Sequence, residues 1–599
     1  MSHSLITQHL DLWTGAVTRK TNGRGRQPAN GQAGGSYELT GIQKLRELIL
    51  ELAVRGKLVP QDPEDEPASE LLKRIEEEKQ RMVDEGNIKK PKKLPEVTEE
   101  EKPFEVPEGW EWCRLNEVCE YIQRGKGPKY AEKGMVKVLS QKCVQWSGLD
   151  LSPARFVADS TLDNYKSERF IQAKDILWNS TGTGTVGRLV VVDEDSLPDY
   201  PLVADSHVTI VRLLPINQDF IYRYLASPVV QSRIEPKHEN SLVSGTTKQV
   251  ELNTSSVKPL PVPIPPLEEQ HRIAQKVDEL MALCDRLEQQ TADQLAAHET
   301  LVDTLLDTLT RSADAAELAE NWSRLEAHFD TLFTTEHSID RLKETILQLA
   351  VMGKLVPQDP DEEPASELLK RIEEEKQRLV DEGKIKKPKK LPEVAEEEKP
   401  FEVPEGWELI TLSHLGSFSG GKTPSKNKPI YWDGDIPWVT PKDMKNAKVQ
   451  QSEDHVTQIA VDEGLELFPE RTIFFVVRSG ILRRMFPVAI NSMPCTINQD
   501  LKGLKLFDDS IAEYIQLMML GFESYILENL TKTGTTVESL KFDEFTKQPF
   551  PIPPLEEQHR IVRKVDELMV LCDRLKERLA EVGELRVQLA ETIVEDGVG

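Results

Sequence analysis

Residues 263–273 read Pro263-Ile264-Pro265-Pro266-Leu267-Glu268-Glu269-Gln270-His271-Arg272-Ile273, and residues 551–561 repeat this sequence as Pro551-Ile552-Pro553-Pro554-Leu555-Glu556-Glu557-Gln558-His559-Arg560-Ile561. Because proline has a fixed φ and no N–H, we expect the prolines to end the preceding sheet and to lead into a helix. Apolar residues follow at spacings of four and three: Ile273, Val277, Leu280, Cys284 and Leu287, then Ile561, Val565, Leu568, Cys572, Leu575, Leu579 and Val582. One such copy would fit an ordinary surface helix equally well, but two copies favour helices that pack on other helices.

The composition indicates a multidomain protein with long helices. The chain has 599 residues, of which 30% are charged and 38% hydrophobic, and this length leaves room for several domains. No apolar run approaches the roughly 18–20 residues that span a membrane, and the N-terminus does not resemble a signal peptide. The six cysteines show no C-x-x-C spacing, so we expect a cytoplasmic protein without disulfides or a zinc site.

The net charge of −27 argues, at face value, against a nucleic-acid partner. The charge is distributed unevenly, however. Residues 103–260 contain 20 acidic and 18 basic residues, whereas acidic runs such as Glu76-Glu77-Glu78 and Glu396-Glu397-Glu398 lie outside the globular regions. The overall charge therefore does not decide the class of partner.

Further motifs recur at an offset of 297 residues. The segment 56–63 (Gly-Lys-Leu-Val-Pro-Gln-Asp-Pro) returns at 353–360, and 104–110 (Phe-Glu-Val-Pro-Glu-Gly-Trp) returns at 401–407. A period this long excludes a solenoid and indicates a tandem duplication. The shared segments are nearly identical and the globular regions between them differ, which favours two domains that do one job on two different targets.

Two helices are expected before each globular region. The first begins near Leu45, ends at Gly56 and carries an apolar face of Leu45, Leu48, Ile49 and Leu52. The second spans about 68–85 and is followed by Gly86 as a C-cap. The basic segment Lys89-Lys90-Pro91-Lys92-Lys93 comes next, and we favour a solvated tether there over a phosphate contact.

The predicted fold class is α+β, with two globular domains that alternate with two long helices. Strand-like runs at 189–192, 208–211 and 473–477 and a helix at 511–520 support mixed domains. A long helix over 267–309 would form a rod of about 60 Å. The expected organisation is a disordered tail (1–40), a helical segment with a charged linker (41–102), a first domain (103–262), a central helical region (263–400), a second domain (401–550) and a C-terminal helix (551–599).

Two glycine-rich motifs match nucleotide-binding patterns without their structural context. Residues 182–187 fit the dinucleotide pattern, but the next residues, 188–192, predict a strand rather than the required helix. Residues 416–423 fit the P-loop pattern, but 424–429 predict a loop where a helix should start. We find no catalytic residues and no metal ligands in the sequence.

Loops in both domains combine glycine with donor side chains that suit DNA phosphates and base edges. The alternative for any single loop is a plain turn. The candidate DNA-binding residues of the first domain are Gln123, Arg124, Lys126, Lys129, Tyr130, Gln141, Lys142, Asn179, Ser180, Thr181, Gly182, Arg188, Thr246, Thr247 and Lys248. Those of the second domain are Ser419, Gly420, Lys422, Thr423, Ser425, Tyr431, Trp438, Lys442, Arg478, Arg483, Arg484, Thr535 and Thr536.

The chain resembles the specificity (S) subunit of Type I restriction-modification systems over nearly everything after residue 40. The resemblance is carried by the doubled Pro-x-Pro-Pro-Leu-Glu-Glu-Gln-x-x-Ile exits, the doubled Val-Pro-x-Gly-Trp openings and the stretch 431–441. The second domain departs from the family pattern because it lacks a Thr-Gly-Thr-Gly turn such as Thr181-Gly182-Thr183-Gly184, and Arg478-Ser479-Gly480 stands in roughly that place. The charged passages at 60–100 and 357–397 also make this a long member.

The resemblance implies that each domain recognises one half of a bipartite DNA site. It implies that the long helices form an antiparallel coiled coil, which sets the gap and docks two methyltransferase subunits, while restriction motor subunits join this core. It further implies that the chain is not an enzyme, and that S-adenosylmethionine, ATP and Mg²⁺ are used by the partner subunits. Two alternatives remain: a protein-binding scaffold, and an enzyme that binds a nucleotide at Gly421-Lys422-Thr423.

Overall fold

A computed structural model describes residues 6–19, 37–246, 249–313, 315–385, 403–534 and 537–598. The chain forms two compact units, one of Met1–Leu295 with Val582–Gly599 and the other of Ala296–Glu581. Both units mix helices with strands, so the fold class is α+β, as the sequence predicted. Within the described residues, no helix has the length and apolar character that a membrane span requires.

The first unit begins with helices, continues through a β-rich domain and ends in a long helix. The helices are α1 (Leu10–Gly15), α2 (Thr40–Val54), α3 (Ala68–Asp84), α4 (Gln218–Ala226), α5 (Pro228–Gln231), α6 (Thr254–Val257) and α7 (Leu267–Arg311). The strands are β1 (Thr18–Arg19), β2 (Tyr37–Glu38), β3 (Glu111–Arg114), β4 (Cys119–Arg124), β5 (Tyr130–Ala131), β6 (Lys137–Leu139), β7 (Val144–Gln145), β8 (Gly148–Leu149), β9 (Arg155–Val157), β10 (Ile176–Asn179), β11 (Leu189–Val191), β12 (Leu202–Ala204), β13 (Val208–Leu213), β14 (Val243–Thr246), β15 (Gln249–Leu252) and β16 (Pro261–Ile264).

The second unit repeats this order. Its helices are α8 (Ala315–Ala327), α9 (Phe329–Leu332), α10 (Glu336–Val351), α11 (Ala365–Asp381), α12 (Leu412–Leu415), α13 (Gln458–Asp462), α14 (Ala512–Gly521), α15 (Glu523–Asn529), α16 (Phe542–Phe545) and α17 (Leu555–Val598). Its strands are β17 (Glu408–Thr411), β18 (Gly416–Gly420), β19 (Trp432–Val439), β20 (Lys448–Val449), β21 (Asp454–Val456), β22 (Ile473–Val476), β23 (Arg478–Ser479), β24 (Val488–Asn491), β25 (Thr496–Ile497), β26 (Leu501–Leu506), β27 (Thr531–Lys532), β28 (Glu538–Leu540) and β29 (Pro549–Ile552).

The two globular domains share one sheet topology. In the first domain the strand order is β11-β10-β13-β4, with every neighbouring pair antiparallel. In the second domain the order β24-β22-β26-β18 is the same, with β20 added beside β24. A second small sheet contains a parallel pair in both cases, β6 with β12 and β19 with β25. The domains are therefore two versions of one fold, although their sequences differ.

The predicted helical frame is confirmed. Helix α2 buries Leu45, Leu48, Ile49 and Leu52 in the main apolar core of the first unit. Gly56 follows α2 with a φ of +68°, and a β-carbon there would lie 2.5 Å from Pro107 Cγ, so both the conformation and the space require glycine. Gly86 follows α3 in the same left-handed conformation. The predicted strands and the predicted helix near 511–520 are also present as β11, β13, β22 and α14.

The expectation that the exit prolines end the sheet is correct for Pro265 and Pro266, which follow the last residue of β16 and lead into α7, but it is wrong for the prolines before them. Pro261 and Pro263 lie within β16, which pairs with β3, and Pro549 and Pro551 lie within β29, which pairs with β17. Proline is tolerated because each pair is a separate two-stranded ladder. Residues two apart on a strand have their backbone N–H positions on the same edge. Both prolines of each strand therefore lie on the edge that faces away from the partner strand, where no N–H donor is needed.

The prediction of a disordered tail over 1–40 is wrong for its described residues. Ile6 and Trp13 are buried, and Trp13 lies on helix α1. Strand β1 then pairs with β2, and Gly41 donates its N–H to the carbonyl oxygen of Ala16. The N-terminal segment is polar and glycine-rich, but its few apolar residues, such as Ile6 and Trp13, pack into the apolar core of the first unit. Residues 20–36 lie outside the described part of the chain.

The two long helices contribute to both units. In the first unit, Leu287 of α7 lies in the same apolar cluster as Ala590 of α17. In the second unit, Leu306 of α7 shares a cluster with Leu579 of α17. The start of one helix therefore accompanies the end of the other in each unit, which is the arrangement of an antiparallel pair. Val582 departs from the predicted apolar seam because its side chain is 43% exposed.

Candidate nucleic-acid interface

One edge of the first domain gathers most of its predicted site residues. Strands β4 and β10 end at this edge and strands β11 and β13 begin there, because all neighbours are antiparallel. We call the residues at this edge, 123–126, 140–149, 179–188 and 205–207, the first loop edge. Gln123, Lys126, Lys129, Tyr130 and Lys142 are exposed around it.

The guanidinium of Arg124 is bonded to other residues of the first domain. Its Nε donates to the carbonyl oxygen of Ser206 at 2.9 Å, and its Nη1 pairs with the carboxylate of Glu251. Arg124 therefore joins strands β4 and β15.

Tyr130 is exposed and makes a cation–π contact. The guanidinium of Arg155 lies 4.0 Å from the centroid of its ring, and this contact holds the Tyr130 side chain in place.

Two predicted contact residues are buried, which corrects the expectation that they touch DNA. Asn179 donates from Nδ2 to the carbonyl oxygen of Gln141 at 3.0 Å, and the Ser180 hydroxyl lies 2.6 Å from that of Thr209. Both side chains are fully buried, and the Asn179 Oδ1 atom has no hydrogen-bond partner among the described residues. All residues of strand β10 are buried, including its last residue. The side chains of Asn179 and Ser180 therefore hold the neighbouring loops in place from inside the domain.

The turn after β10 holds the accessible groups. The Thr181 hydroxyl lies 2.5 Å from Nδ1 of His207, and Gly182 has a φ of +107°. Arg188 donates from Nη2 to the carbonyl oxygen of Gly184 at 2.8 Å. The turn connects antiparallel strands β10 and β11, as predicted for this glycine-rich motif.

His207 is an exposed residue of the loop edge that the sequence reasoning missed. Its backbone N–H donates to Oδ1 of Asp205 at 2.8 Å, which fixes the turn that starts β13. Burial raises the pKa of the Asp205 carboxyl, while the N–H of His207 and the nearby positive charges oppose that shift. A short Asp-Ser-His segment immediately before a strand was the available signal.

The second domain places a glycine and a lysine in the same position as the first. The Lys126 N–H donates to the carbonyl oxygen of Ala204 at 3.0 Å, and the Lys422 N–H donates to that of Ile497 at 3.1 Å. A β-carbon on the preceding glycine, Gly125 or Gly421, would lie within 2.1 Å of these same carbonyl oxygens. Backbone crowding therefore requires glycine in both domains and presents an exposed lysine next to it.

The parallel strand pairs identify a second pair of equivalent lysines, Lys142 and Lys442. The N–H of Asp205 donates to the carbonyl oxygen of Leu139 at 2.9 Å, and that of Asn498 donates to Val439 at 3.0 Å. Lys142 and Lys442 are each the third residue after those carbonyls, and both are exposed. The two domains therefore present exposed lysines at two equivalent positions.

Arg478 occupies the place that Thr181 has in the first domain. The N–H of Ser180 donates to the carbonyl oxygen of His207 at 2.8 Å, and the N–H of Val477 donates to that of Asp500 at 2.9 Å. The next residues, Thr181 and Arg478, are thus equivalent, as are His207 and Asp500. Arg478 is exposed. The equivalent positions therefore carry different polar groups in the two domains.

The other predicted residues of the second domain are divided between surface and structural roles. We call residues 419–425, 440–448, 477–484 and 498–500 the second loop edge. Thr423 donates its hydroxyl to Gln499, Ser419 donates to Glu466 at 2.9 Å, and Arg483 donates to Glu538 at 2.9 Å. Gly420 ends β18, and Ser425 and Arg484 are exposed.

Tyr431 and Trp438 lie inside the second domain, which corrects their prediction as contact residues. Trp438 is 6% exposed, donates from Nε1 to the carbonyl oxygen of Lys422 at 3.2 Å and packs edge-on against Trp432. Tyr431 is 8% exposed and donates its hydroxyl to Glu463. A Tyr-Trp pair in this stretch packs a small apolar cluster instead.

The Gly-Thr-Thr segments at 245–247 and 534–536, which contain predicted contact residues, are only partly described. Thr246 ends β14 opposite Gln249 of β15, and β28 pairs with β27 in the second domain. The predicted residues Thr247, Lys248, Thr535 and Thr536 lie outside the described residues. In the described part of the chain, no group of three or more His, Cys, Asp or Glu side chains is placed to hold a metal ion.

The chain matches one protein family over both halves. The profile described as "Type I restriction modification DNA specificity domain" matches residues 107–297 and 404–583. The specificity subunit of the Type I restriction enzyme EcoAI from Escherichia coli is 38% identical over 630 residues, which cover 99% of each chain. The EcoEI specificity subunit from Escherichia coli is 37% identical over 637 residues, which cover 99% of this chain and 98% of that one.

A solved structure of the same kind gives a more distant match. The crystal structure of the HsdS subunit from Thermoanaerobacter tengcongensis aligns with a TM-score of 0.39 and 17% sequence identity. The alignment covers 83% of this chain and 98% of that chain.

Proposed function

The chain belongs to the Type I restriction-modification DNA specificity family, and from that premise we propose that it selects the DNA sequence on which a Type I restriction-modification complex acts. Each globular domain reads one half of an asymmetric, two-part site. The chain itself carries no catalytic function, because the family supplies recognition and the chemistry belongs to its partners.

The observation that carries this proposal is the pattern of equivalent positions on the two loop edges. Lysine is retained at 126 and 422 and again at 142 and 442. Retained lysines suit DNA phosphates, which are the same in every sequence. The residues at 181 and 478 differ, and so do those at 207 and 500. Different polar groups at matching places suit the recognition of different bases.

The long helices suit the role of a spacer between the two half-sites. Helix α7 has 45 residues and α17 has 44, so each would extend about 65 Å at 1.5 Å per residue. Rods of this length can hold two readers at a fixed separation, and half-sites on one face of B-DNA lie about 34 Å apart per helical turn. We propose that the same helices dock two methyltransferase subunits and thereby recruit the restriction motor subunits.

The proposed partners also account for the acidic charge of the chain. In this arrangement the methyltransferase and motor subunits use S-adenosylmethionine, ATP and Mg²⁺, and the methyltransferase subunits close around the double-stranded DNA. Contacts from these subunits would supply the attraction to phosphates that a chain of net charge −27 lacks. The isolated chain should therefore bind a specific duplex much more weakly than the complex does. Equal affinities would contradict this division of labour.

The decisive experiment is a map of modified adenines in DNA from a methylation-deficient host that produces this chain with its methyltransferase subunit. We expect a split motif with a fixed gap, modified only when the chain is present. Replacing residues 103–262 with the corresponding domain of a relative should change one half of the motif and leave the other half and the gap intact. A stable complex without modified adenines would refute the proposal.

A further inference from the structure

A tryptophan stands at the tip of a hairpin on the first loop edge. Strands β7 and β8 pair through Val144 with Leu149 and through Gln145 with Gly148, so Trp146 and Ser147 form a two-residue connection. Gly148 has a φ of +127°, a conformation that favours glycine and permits this tight turn. The Trp146 side chain is 51% exposed.

The hairpin tip is braced by the side chain of Gln145. Its Nε2 donates to the carbonyl oxygen of Lys142 at 2.7 Å, and its Oε1 accepts from Nη1 of Arg188. Arg188 in turn donates to the carbonyl oxygen of Gly184. Both ends of the amide are therefore engaged with neighbouring loops. The orientation of the tip is fixed relative to the Thr181–Arg188 turn and to Lys142.

The exposed indole has no structural function that the described residues reveal. Among them, Trp146 has no hydrogen-bond partner and no aromatic neighbour. Trp178, by contrast, is fully buried at the same end of the domain and donates from Nε1 to the carbonyl oxygen of Gly187 at 3.2 Å. Single exposed apolar residues are common on protein surfaces. A tryptophan on a hairpin that is bonded both to exposed Lys142 and to the Thr181–Arg188 turn has a more specific use.

We propose that Trp146 is a base-contacting, specificity-determining residue of the first domain, and that its indole lies against the bases of the half-site through an aromatic and apolar contact. This inference rests on the function proposed above. The base faces of a duplex are covered by their neighbours, but bulky apolar side chains contact base edges in the grooves or insert at base steps. Tryptophan offers the largest apolar surface for such a contact, and its Nε1–H remains available as a donor.

The second domain shows that the contact is particular to one half-site. The segment that follows β19, residues 440–448, contains no aromatic residue. Asp443 instead accepts the N–H of Thr440 at 2.8 Å and that of Glu453 at 2.9 Å, and it closes a different loop with exposed Lys445. A residue that merely supported the shared fold would be expected in both domains. The effect of removing Trp146 should therefore appear in the first half-site alone.

The test uses the complex of the full chain with its methyltransferase subunits and three variants, Trp146→Ala, Trp146→Phe and the control Met135→Ala. Met135 is 71% exposed in the same domain but precedes β6 instead of following it. Dissociation constants are measured for the cognate duplex and for duplexes with either half-site scrambled. Thermal unfolding of each variant shows whether the fold is unchanged.

We expect Trp146→Ala to weaken binding to the cognate duplex by about tenfold or more, the usual loss for one base pair that is no longer recognised, and to bind the duplex with a scrambled first half-site as the wild type does. Trp146→Phe should keep most of the affinity, and Met135→Ala should keep all of it. Equal affinity of the wild type and Trp146→Ala for the cognate duplex would overturn the inference and leave the proposed function intact. A wild-type complex that does not discriminate either half-site would overturn both.

Discussion

The indole of Trp110 donates from Nε1 to Oε2 of Glu269 at 2.9 Å, and this bond joins the opening of the first domain to its exit helix. The other carboxylate oxygen of Glu269 accepts from Gln61 at 3.2 Å. The same geometry occurs in the second unit, where Trp407 donates to Glu557 at 2.9 Å. Three motifs that recur in the sequence thus meet at one carboxylate, which explains why they are repeated together.

Replacement of Glu269 by alanine should destabilise the first unit by about 1–3 kcal/mol, because a buried indole N–H loses its acceptor. Glu269→Gln should cost less, because its side-chain oxygen can still accept one of the two bonds. Chemical denaturation followed by tryptophan fluorescence measures both effects. The exposed neighbour provides a control, and Glu268→Gln should leave stability unchanged. Equal stability of Glu269→Ala and the wild type would show that the bond contributes nothing.

The same carboxylate predicts a pH dependence. Burial raises the pKa of Glu269 above its ordinary value, although the donors Trp110 and Gln61 oppose the shift. A raised pKa in the folded state contributes stability below the unfolded value of about 4.3, and this contribution is lost as the pH rises through the folded value. The unfolding free energy of the wild type relative to Glu269→Gln should therefore fall as the pH increases from 4. A constant difference across that range would contradict the prediction.

The paired lysines predict a loss of affinity that does not depend on sequence. Lys126→Ala and Lys422→Ala should each weaken binding of the complex to cognate and non-cognate duplexes by similar factors. Each should reduce the slope of log K against log salt by about 0.9, the value for one lost phosphate contact. Exposed Lys133 precedes β6 and is not one of the residues of the first loop edge, so Lys133→Ala is the matched control. A change in the methylated motif would assign base contacts to these lysines instead.

A buried ion pair is expected to hold the first recognition domain together. Arg212 donates from Nε and Nη2 to the two oxygens of Asp175 at 2.7 and 2.8 Å, and the Asp175 side chain is fully buried. Arg212→Met should destabilise the domain by about 3–5 kcal/mol, because it leaves a buried carboxylate without a partner. The double variant Arg212→Met/Asp175→Asn should recover part of this loss in denaturant unfolding. A double variant no more stable than the single one would contradict this explanation.

The repeated frame could be predicted from the sequence because its signals are local. Apolar spacing identified α2 and α7, and the glycines marked where helices end. The prolines of β16 were misread because a proline in a two-stranded ladder depends on which edge of the strand faces the partner. Which edge faces the partner is set by the pairing of Pro263 with Trp112, and the identity of the residue as proline does not reveal it.

The loop edges were only partly predictable because exposure is set by distant strands. Asn179 and Trp438 have side chains suited to DNA, but β10 is buried on both faces to its last residue, and Trp438 packs in a small apolar cluster. Trp146 looks like a core residue by composition, and only the pairing of β7 with β8 brings it to a tip. The equivalence of Lys126 and Lys422 required the shared hydrogen bonds of their backbones, because the surrounding sequences differ.

Arg478 should determine part of the second half-site. Its side chain is exposed at the position equivalent to Thr181, and an arginine can bond both acceptors of a guanine in the major groove, a contact that contributes about 1–3 kcal/mol of discrimination. Arg478→Ala should therefore relax the methylated motif at one position of the second half and leave the first half and the gap unchanged. Mapping modified adenines in cells that carry each variant measures this directly.

Arg483 provides the contrast, because its guanidinium is already bonded to the buried carboxylate of Glu538 at 2.9 Å. Arg483→Ala should lower the stability of the second domain and reduce methylation at all sites together, without relaxing any base. If Arg478→Ala behaved in the same way, its role would be structural. The recognition of the second half-site would then have to come from other residues of the second loop edge.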